Sequence, residues 1–205
     1  MPEADLYLNT IDLCRYWPAN TEMSCQDFLT RLAAGKGDIE DCTFFTPRQL
    51  QAFKLVLEAK TYLPSVPQLT VPQPIEKGLV PINEPDESSL VIVTANNRLT
   101  FEVLATVFAQ DVTSAYFLLV DCLGSTVDMA MVYGDFTPTR LARVMEESGL
   151  ESRVKHHHMI VPGLTASLAA DFATATNWEV EVGPVCAVEL PLFLRDRWLF
   201  SATQK

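Results

Sequence analysis

The sequence predicts an α/β protein, a Rossmann-like parallel sheet with flanking helices, preceded by a small helical region. Beyond residue 88, short apolar β-branched runs alternate with helical segments at a spacing that suits right-handed βαβ crossovers. Before residue 63 the apolar residues recur at helical spacing. Six of the chain's 13 prolines, at 64, 67, 72, 74, 81 and 85, fall between these regions. The expected organisation is therefore a helical unit over 1–62, an extended proline-rich linker over 63–88 laid across a surface, and an α/β unit over 89–205.

In the first unit, SCQDFLTRLAAGKGD predicts a helix with Ser24 as N-cap, Phe28, Leu29 and Leu32 on one face, and Gly35 as the stop. A second helix follows Pro47, with Leu50, Phe53 and Leu57 at helical spacing. In the last unit, strands are predicted at 90–96, 115–122, 157–163 and 178–184. Helices are predicted at 99–109, within the stretch 120–136, at 137–149 with Thr137 as N-cap and Pro138 at the first position, and at 164–173. The tail 186–200 reads as a last helix broken at Pro191.

Composition narrows the function classes. A chain of 205 residues with 48% apolar and 20% charged residues folds into a packed globule. A net charge of −11 argues against nucleic acid and anionic membranes as partners. The polar, acidic start MPEADLYLNT is unlike a secretory signal, which points to the cytoplasm. In that compartment five scattered cysteines, at 14, 25, 42, 122 and 186, do not suggest a disulfide framework.

Each predicted strand ends in a turn with unusual backbone needs: 94–100, 121–126, 161–165 and 182–184. Glycine lets a ligand approach the backbone closely, and helix starts offer free N–H groups. Four such turns on one edge would line a broad, shallow ligand site, although short glycine turns also serve any α/β sheet. The G-x-G-x-x-G fingerprint is absent, which disfavours NAD or FAD. His156, His157 and His158 are adjacent on a predicted strand and point to alternate faces, so they converge poorly on one metal ion. Asp121 and Asp128 are the best-placed carboxylates, but neither forms a diagnostic pair.

The stretches VTANNRLTFEVLA, LLVDCLGSTV, GDFTPTRLARVMEESGLESRVKH, MIVPGLTASLAADF and WEVEVGPVCAVELPLFL carry a family resemblance. Residues 90–194 resemble the corrinoid-binding domain of the large (gamma) subunit of the corrinoid iron–sulfur protein of the CO dehydrogenase/acetyl-CoA synthase system. CQDFLTRLAAGKGDIEDC is similar to the part of that family's iron–sulfur domain that holds the last two cluster cysteines. The family's two earlier cysteines correspond to Trp17 and Asn20, and Cys14 lies just upstream. The resemblance thus leaves Cys14, Cys25 and Cys42 as candidate ligands of a degenerate [4Fe–4S] site.

The resemblance also implies which residues touch a corrinoid: Thr94, Asn96, Leu99 and Thr100; Gly124 and Ser125; Pro162, Gly163 and Leu164; Gly183 and Pro184. Met129 stands where the family has a threonine facing the ring, and Met131 where it has a tryptophan. The family's TIM barrel is missing, so a TIM-barrel methyltransferase or corrinoid-protein subunit would have to be a partner. The implied function is a cobalamin-binding methyl carrier, or an electron- or methyl-transfer accessory, in anaerobic one-carbon metabolism; as an enzyme it would be a methyltransferase component. The alternative is a non-catalytic accessory or regulatory relative that has lost the cluster, with or without the corrinoid.

Overall fold

The computed structural model describes residues 11–19, 21–65 and 71–201. Short 3-10 turns punctuate the chain. The first unit contains α1 (Cys25–Ala33), α2 (Pro47–Leu57) and the short α3 (Ala59–Tyr62). Both longer helices start where side chains can satisfy free N–H groups. The Ser24 hydroxyl accepts from the Asp27 N–H at 3.1 Å, and Thr46 and Gln49 cap each other reciprocally around Pro47.

The rest of the chain forms β1 (Gly78–Ile82), β2 (Leu90–Ala95), α4 (Arg98–Phe108), β3 (Ala115–Val120), α5 (Val127–Tyr133), α6 (Pro138–Ser148), β4 (His158–Val161), α7 (Ala169–Thr176), β5 (Glu179–Val182) and α8 (Leu190–Leu194). Helix α6 has the predicted ends: the Thr137 hydroxyl accepts from the Arg140 N–H, and Gly149 closes the helix at φ +65°.

The five strands make one sheet in the order β1-β3-β2-β4-β5. The last four in sequence are parallel, whereas β1 runs antiparallel to β3, pairing Gly78 with Leu119 and Ile82 with Ala115. The sheet is therefore mixed, and part of the linker belongs to it. Pro81 is tolerated because β1 is the outermost strand, where a missing ladder N–H breaks no further pairing. The tail also departs from expectation: Pro191 lies in the first turn of α8 and opens that helix instead of breaking a longer one.

Two apolar clusters flank the sheet. On one side Ile92, Phe117 and Leu119 pack with Leu104, Val107 and Phe108 of α4, with the tail residues Leu190, Leu194 and Trp198, and with Phe28, Phe53 and Val56 of the first unit. On the other side Val91, Val93, Tyr116, Leu118 and Val120 pack with Ala130, Leu141, Val144, Met145 and Phe172 of α5, α6 and α7. Phe117 and Leu118 are completely buried, and side chains of this kind contribute about 1.5–3 kcal/mol each through burial. The helical unit thus shares a core with the sheet, and Tyr16 seals the junction by donating to the buried Glu189 carboxylate at 2.8 Å.

Among the described residues, no helix is long and apolar enough to cross a membrane.

Candidate functional site

Because β2 to β5 are parallel, their C-terminal ends share one sheet edge, and the four turns singled out above gather there. From the central β2 the chain passes through α4 to β3 on one side, then returns to β4 on the other. Such a reversal opens a crevice at the carboxyl ends of the strands, the usual place for a ligand in an open α/β sheet.

Thr94, Asn96 and Leu99 are buried, and Asn96 is committed to internal bonds. Its side-chain oxygen accepts from the N–H groups of Cys122 (2.8 Å) and Gly124 (3.2 Å), and its amide donates to the Ile75 carbonyl (3.1 Å). Its buried neighbour Asn97 donates to the Gly124 carbonyl at 2.7 Å and caps α4 by accepting from the N–H of Thr100. An Asx residue just before a helical run was the legible sign of this role. The linker joins the same network. The Gln73 N–H donates to the Gly124 carbonyl (2.9 Å), the Arg98 N–H to Gln73 (2.9 Å) and the Ile75 N–H to Asn96 (3.0 Å). Residues 73–75 are thus a strap across the first two turns.

The glycines serve this packing. Gly124 has φ +78°, and a Cβ there would collide with the backbone of Pro74. A Cβ on Gly163 would lie 2.7 Å from the Val185 nitrogen and 2.8 Å from the Gly183 carbonyl oxygen. At Gly183 it would lie 2.9 Å from Ile160. The close approach inferred from the sequence is met at these three positions by the chain's own atoms.

What the edge offers a ligand is largely apolar, beside the exposed Arg98 of the first turn. Leu123 (59% exposed) and Leu164 (42%) project from two of the four turns, Val185 (49%) directly follows another, and Val132 and Tyr133 are exposed on α5. Leu123 holds a left-handed backbone, φ +57°, that a leucine rarely adopts, a strain often found at ligand sites. At the start of α5 the Thr126 hydroxyl is buried without a hydrogen-bond partner among the described residues. Ser125 is buried, and Pro184 lies beneath the same edge. Met131 packs into the core below α5, whereas the half-buried Met129 belongs to neither apolar cluster. The turn's thiol is unreactive: burial pushes the Cys122 pKa up to about 12. Arg140 braces the turn from α6, donating to the Asp121 carbonyl at 2.7 Å and pairing with Asp135 at 2.8 Å. Leu123, Thr126 and Val185 were not singled out from the sequence, because exposure and an orphaned hydroxyl leave no mark in composition.

The histidine rings do not converge on one point. His156 lies 2.9 Å from the Ser89 carbonyl, the His157 ring packs edge-on against Trp178, and His158 lies 3.2 Å from Glu181.

The candidate cluster cysteines correct one expectation. Cys14 and Cys25 are bonded to each other, with Cα atoms 5.4 Å apart, because the turn at 13–16 folds back onto the start of α1. Cys42 is a separate, buried thiol whose pKa is raised, chiefly by desolvation. Asn20 lies outside the described residues.

Comparison with known proteins places the chain among relatives. The pattern of one protein family, CdhD: CO dehydrogenase/acetyl-CoA synthase delta subunit, matches residues 54–194. The chain is similar to the acetyl-CoA decarbonylase/synthase complex subunit gamma of Methanopyrus kandleri, at 36% identity over 128 residues, 62% of this chain and 28% of that protein. It is 35% identical over 127 residues to the subunit of the same name from Methanocaldococcus jannaschii, covering 62% of this chain and 26% of that one. It is also 35% identical over 125 residues to the corrinoid/iron-sulfur protein large subunit of Moorella thermoacetica, covering 61% and 28%. The chain therefore spans about a quarter of the length of these relatives.

Proposed function

The chain belongs to the CO dehydrogenase/acetyl-CoA synthase delta subunit family, and from that we propose that its sheet edge binds a corrinoid and that the protein serves as a methyl carrier or transfer accessory in one-carbon metabolism. The observation that carries this reading is the exposure of Leu123, Leu164 and Val185 on or directly beside three turns of a single edge. A corrin ring is a wide apolar plate with a rim of amides. Aliphatic side chains standing on tight turns suit its face. Bound corrinoid would supply the metal that accepts and donates the methyl group.

The protein's own share is to bind and orient. The strap of Gln73–Ile75 and the Asn96 bonds hold the turns at fixed separation, so the apolar tips are preorganised. Met129, half-buried on α5, would face a bound ring by its place in the motif that the resemblance gives. A thioether there gives an adaptable apolar contact with weak affinity for soft metals. Partners supply whatever the rest of the longer relatives contributes, a TIM-barrel methyltransferase or corrinoid-protein subunit being the one the resemblance implies.

A second reading rests on the same site. Met129 in place of a polar residue fits a non-catalytic relative that keeps the fold as an accessory.

The test is anaerobic incubation of the purified protein with cobalamin, followed by desalting and absorption spectroscopy. A pink protein with a base-off spectrum is expected, with binding at least tenfold weaker in Leu164→Asp and Val185→Asp. A protein that passes the column colourless overturns the first reading. Met129→Ala should shift the cobalt bands if this side chain lies against the ring.

A further inference from the structure

The position that corresponds to a cluster cysteine in the resembling family is filled here by a large ring with partners of its own. The Trp17 indole has its centroid 5.1 Å from Phe28, 5.4 Å from Phe44, 5.1 Å from Phe45 and 5.8 Å from Phe53, three of the four contacts being edge-to-face. Phe45 meets Phe44 at 4.8 Å and Phe53 at 4.5 Å, which closes the group into one aromatic nucleus. The indole N–H is satisfied as well, lying 3.1 Å from the Thr21 hydroxyl and 3.0 Å from the Met23 carbonyl. Offset and edge-on ring pairs each add about 0.5–1.5 kcal/mol beyond simple burial. The interior of this unit is therefore packed by its own side chains.

The available donors also suit a cluster poorly. Iron–sulfur clusters are held by thiolates, usually four. Of the three cysteines in this unit, Cys14 and Cys25 are bonded to each other. Cys42 is buried in the apolar core, in one cluster with Phe28, Ile39 and Phe45.

We infer that the N-terminal helical unit is a metal-free fold, in which the Trp17 nucleus takes the place of an iron–sulfur cluster and Cys14 and Cys25 act only as a disulfide or dithiol pair. This holds whether or not the sheet edge binds a corrinoid. An iron–sulfur cluster is a one-electron carrier, and the Cys14–Cys25 couple exchanges two electrons and two protons with an external dithiol or disulfide. A unit of this kind relays no single electrons, so any one-electron step at the sheet edge must draw on a separate redox protein.

The full chain is incubated anaerobically with ferrous iron, sulfide and a thiol reductant, then desalted and analysed for iron and sulfide. Both should stay at the level of a Cys14→Ser/Cys25→Ser variant, with the thermal midpoint unchanged by iron. Trp17→Ala should lower that midpoint by roughly 6–20 °C, and Trp17→Phe by less, since it keeps a ring in the nucleus. Stoichiometric iron and sulfide with visible charge-transfer absorption, lost in Cys25→Ser, would overturn the inference. So would a Trp17→Ala protein as stable as the original.

Discussion

One added methyl group at Gly124 separates two uses of a glycine. If the residue is there so that a ligand can approach, Gly124→Ala leaves the free protein intact and weakens binding. The structure says otherwise, because the new Cβ would strike the backbone of Pro74 and the residue sits at φ +78°. Holding alanine in a left-handed conformation costs about 1–2 kcal/mol. Relieving the collision pushes the strap off the turns and strains the bonds from Gln73 to Gly124 and from Arg98 to Gln73, each worth about 1 kcal/mol net. The expected loss is about 3–4 kcal/mol, which for a chain of this size lowers the melting temperature by roughly 6–16 °C. Urea and thermal unfolding measure the loss, and amide exchange should quicken at Ile75 and Arg98, whose N–H groups the strap engages. A Gly124→Ala protein within ~1 kcal/mol of the original, with unchanged exchange at both amides, would refute the reasoning.

Asn96→Ala removes the acceptor for two buried N–H groups and the donor to Ile75, so about 3 kcal/mol should be lost in the same unfolding assay. Combined with Gly124→Ala, the losses should fall short of additivity, because both changes act through the strap. The buried Glu189 has its pKa raised, first by desolvation, although the Tyr16 hydroxyl opposes the shift. A carboxyl that holds its proton more tightly when folded loses stability as pH rises from the unfolded value, about 4.3, through the folded one. Glu189→Gln should therefore gain stability relative to the original as pH rises from 4 towards neutrality; a difference that stays flat across that range would contradict the assignment. Thiol labelling of the denatured, unreduced protein should modify Cys42, Cys122 and Cys186, and reduction should add Cys14 and Cys25.

Most elements were legible because their ends are chemically marked. Thr137, Pro138 and Gly149 bound α6, and β-branched runs mark β2 and β4. Strand β1 was not, since Pro81 and its neighbouring prolines read as linker, and only pairing with β3 turns that segment into sheet. The site was half legible. The four turns were visible, and parallel strands bring them together, but whether a glycine makes room for a ligand or for the chain depends on long-range partners. Pro74 meets Gly124 and Val185 meets Gly163 through contacts that no local pattern encodes. The shared core was hidden for the same reason. Phe28, Phe53 and Val56 read as the interior of a separate unit, and they also extend the cluster on one face of the sheet.

That arrangement gives β3 two addresses. Phe117 and Leu119 look toward the N-terminal helices and the tail, while Tyr116, Leu118 and Val120 look toward α5, α6 and α7. Odd and even positions of one strand thus report to different halves of the molecule. A cavity cut at Phe117 should loosen the helices around Trp17 first, and one cut at Leu118 should loosen the floor beneath the apolar turn edge. A spectroscopic probe in each half could tell the two apart before the whole chain unfolds.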